Sequence, residues 1–168
     1  LAQQTESRFA DARDTFARLT RLRPLDTDPL RRLAACRTAL GEDEGALTAL
    51  TTLARLVPED LDVLESVAQT QERLGRLEDS VASYERLLGL EPERTDARRA
   101  AALSYARLGR HDDVVRSAKP VLRARPDDQE LLLALARAHA AKGRAAEAAE
   151  AAGDLVRLAP TSVDALWE

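Results

Sequence analysis

The chain has no methionine, one cysteine, and only one tryptophan, two tyrosines and two phenylalanines among its 168 residues. Each scarcity excludes something. Cys36, being alone, forms no internal disulfide and anchors no cysteine-based metal site. An aromatic content of 3% leaves no platform on which bases could stack. Only Lys119 and Lys142 among the 25 basic residues are lysine, and the net charge of −4 with a pI near 5.4 argues against a binder of nucleic acid or an anionic membrane. No apolar run approaches the roughly 18 residues that membrane insertion needs, and no secretory leader is visible. The compartment stays open, with a soluble cytoplasmic protein expected over an exported one. Opening at Leu1 without a methionine, the chain reads as a piece of a longer protein. No glycine-rich phosphate loop occurs, no carboxylate pair stands out, and His111 and His139 lack a second histidine or a cysteine at ligand spacing. No catalytic residue, metal site or cofactor is expected, and the chain is read as no enzyme.

What is present is a period. Pro24, Pro58, Pro92, Pro126 and Pro160 follow one another at intervals of 34 residues. Units drawn to end two residues past each proline run 27–60, 61–94, 95–128 and 129–162, with the later part of an earlier unit in 1–26 and the opening of another in 163–168. Gly41, Gly75, Gly109 and Gly143 share position 15, while Ser7 stands there in the N-terminal fragment. Position 8 is always alanine, position 10 is always small (Cys36, Thr70, Ser104, Ala138), and positions 27 and 30 are mostly leucine. A glycine after an apolar-periodic run ends a helix; a proline closes the second and sets the turn to the next unit. Each unit is thus two helices: A over about 28–40, 62–74, 96–108 and 130–142, and B over about 44–57, 78–91, 112–125 and 146–158. The leucines at positions 27 and 30 are expected to face inward. The acids at position 2 (Asp28, Asp62, Asp96, Glu130) are expected to cap helix A or face its dipole. Pro120, inside the third full helix B, predicts a kink or an early break. Cys36 and His139 read as packed side chains, and Val163, Leu166 and Trp167 as the start of a further helix.

These columns resemble the tetratricopeptide repeat, whose pattern sets Trp, Leu, Gly, Tyr, Ala, Phe and Pro at positions 4, 7, 8, 11, 20, 24 and 32. Residues 61–94 answer it with Leu64, Val67, Ala68, Gln71, Ser80, Tyr84 and Pro92, and residues 95–128 with Arg98, Ala101, Ala102, Tyr105, Val114, Ala118 and Pro126. The resemblance covers essentially the whole chain. It implies an all-α solenoid, a right-handed superhelix of stacked antiparallel helix pairs, as one array over 1–168.

The resemblance further implies a concave groove lined by helices A that holds a peptide or helix of a partner protein. At the family's groove positions stand Arg31, Arg32, Glu65, Gln69, Arg73, Arg99, Leu103, Arg107, Leu133 and Arg137. With Glu72, at a further groove position, six arginines face two glutamates, and arginine pairs bidentately with carboxylates. The expected occupant is an acidic segment with an apolar anchor near Leu103 and Leu133. The competing reading of Arg31, Glu65 and Arg99 is an internal charge ladder. The carboxylate clamp by which some family members hold chaperone tails is not matched by Arg31, Ala35, Ser66, Asp96 and Ala100, nor by the set one repeat on. The rival functions are self-assembly through repeat ends, and a targeting arm for an enzyme or regulator whose active domain lies outside this chain.

Overall fold

The computed structural model describes residues 2–158, with side chains from residue 7 onward. Among the described residues the chain is helical throughout, with no strand. The helices are α1 (Ala2–Leu22), α2 (Thr27–Ala39), α3 (Asp43–Leu56), α4 (Leu61–Arg73), α5 (Leu77–Leu90), α6 (Thr95–Arg107), α7 (His111–Ala124), α8 (Gln129–Ala141) and α9 (Ala145–Leu158). Pro160, Val163, Leu166 and Trp167 lie outside the described residues. The chain divides into two compact units, residues 1–90 with α1–α5 and residues 91–168 with α6–α9.

The periodic residues mark the element ends. Pro24, Pro58, Pro92 and Pro126 each stand two residues beyond a helix, where a ring that fixes φ and lacks an N–H does no harm. The four turn glycines have φ of +71°, +71°, +69° and +69°, the left-handed conformation that closes a helix. Ser7 occupies the same column without a turn. α1 runs through it unbroken for 21 residues, because no glycine is there to take the left-handed bend.

Within each unit, successive helices pack on one another. The first unit's core joins Leu30, Leu33 and Ala34 of α2 to Leu47, Leu50 and Leu53 of α3 and to Val63 and Val67 of α4, with Phe16 of α1 against it. In the second, Ala101, Ala102 and Tyr105 of α6, Val114 and Ala118 of α7, and Leu131, Leu132 and Leu135 of α8 are buried. The small residues of position 10 are all buried, which lets neighbouring backbones approach closely.

Three expectations are corrected. At position 27 Leu53, Leu87 and Leu155 are buried; at position 30 Leu56 packs against the first unit's core, whereas Leu22, Leu90 and Leu158 are 78%, 45% and 41% exposed. Leu22, Leu56, Leu90 and Leu158 are each the last residue of their helix. Of the two roles expected of the position-2 acids, the cap is corrected and the charge facing the helix dipole holds. Asp26, Asp60 and Asp128, two residues earlier, accept backbone N–H groups of α2, α4 and α8, and the position-2 acids sit in the first turn. Last, Pro120 does not shorten its helix. α7 has the same 14 residues as α3, α5 and α9. Both Pro120 and Arg116, whose carbonyl the proline leaves without a donor, are exposed, so water can serve that carbonyl.

Candidate functional site

Two clefts lie between consecutive A helices, one in each unit. In the first, α2 and α4 form a cleft of about 450 Å3 lined by Arg31, Ala35, Thr38, Val63 and Ser66, among others. In the second, α6 and α8 form one of about 370 Å3 lined by Leu103, Ala106, Arg107, Leu133, Ala134 and Arg137, with His111 and Val114 of α7 and Glu130 at its border. The spacing of 34 residues explains this grouping. Residues at equivalent positions on neighbouring A helices fall side by side, so Leu103 meets the column that carries Arg137, and Leu133 the column that carries Arg99.

Four of the six groove arginines are engaged inside the protein. Arg31 donates to Asp60, and Arg99 forks onto both oxygens of Asp128, the Nη2–Oδ1 bond being 3.1 Å. Both pairs span 29 positions and tie one A helix to the cap of the next. Arg99 Nη2 also reaches Glu130 Oε2 at 2.8 Å. Arg32 turns the other way, bonding Asp28 at 2.9 Å and lying 5.8 Å from the centre of the Phe16 ring. Arg73 bonds Asp43 at 2.9 Å, at the start of α3. Gln69 donates to Glu65 at 3.3 Å along α4, and neither lines the α2–α4 cleft.

Titration follows this geometry. The hydrogen bond from Arg31 is the main influence on Asp60 and holds its carboxyl below the usual range. For Asp128 burial opposes ionisation most strongly, yet the bonds from Arg99 and the Leu131 N–H outweigh it and keep the group low. Arg99 is held more firmly protonated by Asp128. The cap carboxylates Asp60 and Asp128 therefore tie Arg31 and Arg99 between repeats.

Arg107 and Arg137 differ. They are exposed, border the second unit's cleft, and form no hydrogen bond or ion pair with any described residue. Between them lie half-buried Leu103 and Leu133 over a floor of Ala106 and Ala134. Of the ten residues expected in the groove, the structure thus brings together Leu103, Arg107, Leu133 and Arg137, and places Arg31 on the other unit's cleft. His111 borders the Leu103 cleft as well. Its signal was the position itself, the first residue of a B helix beside its own A helix.

The remaining singular residues pack. Cys36 is buried, which pushes its thiol pKa up. Tyr84 is buried with its hydroxyl donating to Glu72 at 3.1 Å; burial first, then the Glu72 charge, raise its pKa. Among the described residues no group of three His, Cys, Asp or Glu side chains could hold a metal ion. No described helix is long and apolar enough to cross a membrane.

Compared with known families, the sequence matches the tetratricopeptide repeat over residues 1–60, 67–113 and 115–163. No curated protein matches it. Among solved structures, YrrB, described as a TPR protein with an unusual peptide-binding site, superposes with a TM-score of 0.83 at 15% identity, over 97% of this chain and 84% of that one. The MamA protein superposes with a TM-score of 0.80 at 15% identity, over 97% of this chain and 89% of the other. At that identity the likeness establishes the fold, an all-α solenoid.

Proposed function

Because the chain belongs to the tetratricopeptide repeat family, we propose that it is a non-catalytic scaffold for protein–protein interaction that holds a segment of a partner between α6 and α8. The observation that carries this reading is the pair Arg107 and Arg137, unengaged beside Leu103 and Leu133, in a molecule where the other groove arginines are bound internally. An acidic stretch bearing one apolar side chain complements this cleft: the apolar group displaces water from the leucines, and carboxylates meet two guanidinium forks. A peptide as the occupant is supported by the description of YrrB, a fold neighbour, as a peptide binder.

Affinity capture from a lysate of the source organism, with salt elution, tests the reading if three baits run in parallel: the natural chain, Leu103→Asp with Leu133→Asp, and Arg107→Glu with Arg137→Glu. The proposal expects one partner with an acidic, leucine-bearing segment on the natural bait and its loss from both variants. Retention of that partner by both variants overturns it, and recovery of the chain alone points to self-assembly instead.

A further inference from the structure

The second unit carries another cleft, on the side of α8 that faces its B helices. It lies between α7 and α9, has a volume of about 420 Å3, and is floored by Leu132, Leu135 and His139. That volume is within the range of ligand sites. The first unit holds the corresponding cleft, of about 330 Å3, between α3 and α5, floored by Leu64, Val67 and Gln71. The two floors match position for position under the 68-residue offset of two repeats.

They differ at one polar group. In the first unit Ser83 donates to Gln71 Oε1 at 2.7 Å, which satisfies the polar floor from within. In the second, the matching residues are His139 and Ala151, and alanine offers no partner. His139 is only 5% exposed, and its Nδ1 is buried with no hydrogen bond among the described residues. Nε2 is not sealed in this way, so it is the ring nitrogen that an occupant of the cleft can reach.

The walls carry charges that are mostly without an ion pair. Lys119 and Arg123 on α7 and Arg144 before α9 border the cleft, as do Glu147, Glu150 and Asp154 on α9; among the described residues only Asp154 of these forms an ion pair, with Arg157. Elsewhere in this unit charges pair readily, as Arg125 does with Asp96 and Arg110 with Asp113.

We propose that this cleft is a second binding site, distinct from the α6–α8 groove, for an extended peptide segment that carries a carboxylate and, within a few residues, a cation. The carboxylate meets the basic α7 wall and the His139 ring, the cation meets Glu147 and Glu150, and the apolar part between them covers Leu132 and Leu135. With Nδ1 sealed, the ring serves the occupant through its Nε2–H.

The test is a titration of the isotopically labelled 168-residue chain, followed by amide chemical shifts. The probes are two blocked tetrapeptides, Glu-Leu-Ala-Lys and its reverse Lys-Ala-Leu-Glu, at millimolar concentration. The proposal expects saturable shifts confined to α7, α8 and α9 around His139 for one of the two. Lys119→Glu with Arg123→Glu, exposed positions that leave the fold intact by circular dichroism, weakens binding about tenfold or more. Replacing the probe's Glu by Gln does the same, and Arg107→Glu leaves the affinity unchanged. Absence of saturable shifts with both probes overturns the proposal. So does binding indifferent to the Lys119 and Arg123 reversals, and shifts that vanish with Arg107→Glu assign the peptide to the other groove.

Discussion

Asp128 caps α8 through the Leu131 N–H and receives the Arg99 fork, and the two roles respond differently to substitution. Asn preserves a cap but not a charge. Asp128→Ala is expected to cost roughly 1–2 kcal/mol in denaturant unfolding, and Asp128→Asn clearly less. The pH dependence has a definite sign. Asp60 and Asp128 are held below their unfolded pKa of about 3.9. Their contribution is therefore present above about pH 4 and is lost as pH falls through the folded values. The natural chain should lose stability across that acid limb more steeply than Asp128→Asn. At Ser80 the expectation is reversed. Its Oγ is buried without a partner among the described residues, in a column otherwise Ala46, Val114 and Ala148. Ser80→Ala should raise stability by about 1 kcal/mol, and a loss on thermal unfolding would contradict that assignment. The caps were legible in sequence, since Asp26, Asp60 and Asp128 recur at the repeat period. Arg94 interrupts that column, and the neighbouring acids at position 2 formed the more continuous signal. The Arg31–Asp60 and Arg99–Asp128 ties were less legible, because a spacing of 29 residues has meaning only once two A helices lie side by side.

At the scale of the element, helix bounds followed from proline and glycine to within about a residue, because both act through backbone geometry that no tertiary contact reverses. Gly75 illustrates this. Its φ is +71°, and an added Cβ there would meet nothing within 4 Å. Gly75→Ala should thus cost about 1 kcal/mol through backbone strain alone. The early break expected at Pro120 does not occur, for the converse reason. A proline's effect depends on where its side of the helix points, and this one faces solvent over a full-length α7. Pro120→Ala restores a backbone N–H to a full-length helix and should raise the thermal midpoint, with up to about 3 kcal/mol of added stability. An unchanged or lower midpoint would show that the proline is accommodated without cost. The exposed leucines at the helix ends, Leu22, Leu90 and Leu158, were likewise hidden from the periodic pattern, which puts them in one column with Leu56, a residue that packs on the core.

For the whole molecule, family and fold were carried by the repeat period, and the groove positions by the resemblance. The decision among the groove arginines was not in the sequence. Arg31, Arg32, Arg73, Arg99, Arg107 and Arg137 are chemically alike, and only their surroundings separate those bound internally from Arg107 and Arg137. The cleft over His139 was missed because its polarity depends on Ala151, a residue with no chemistry of its own, standing where the other unit has Ser83. The central claim concerns the α6–α8 groove. Its most direct test is calorimetric titration of the captured partner's acidic segment, as a synthetic peptide, into the natural chain, into Arg107→Glu with Arg137→Glu, and into Arg32→Glu. The account predicts that the double variant weakens binding by about a hundredfold, the loss of two charge-assisted contacts, and that Arg32→Glu leaves it unchanged. Equal affinity for the natural chain and the double variant would contradict it.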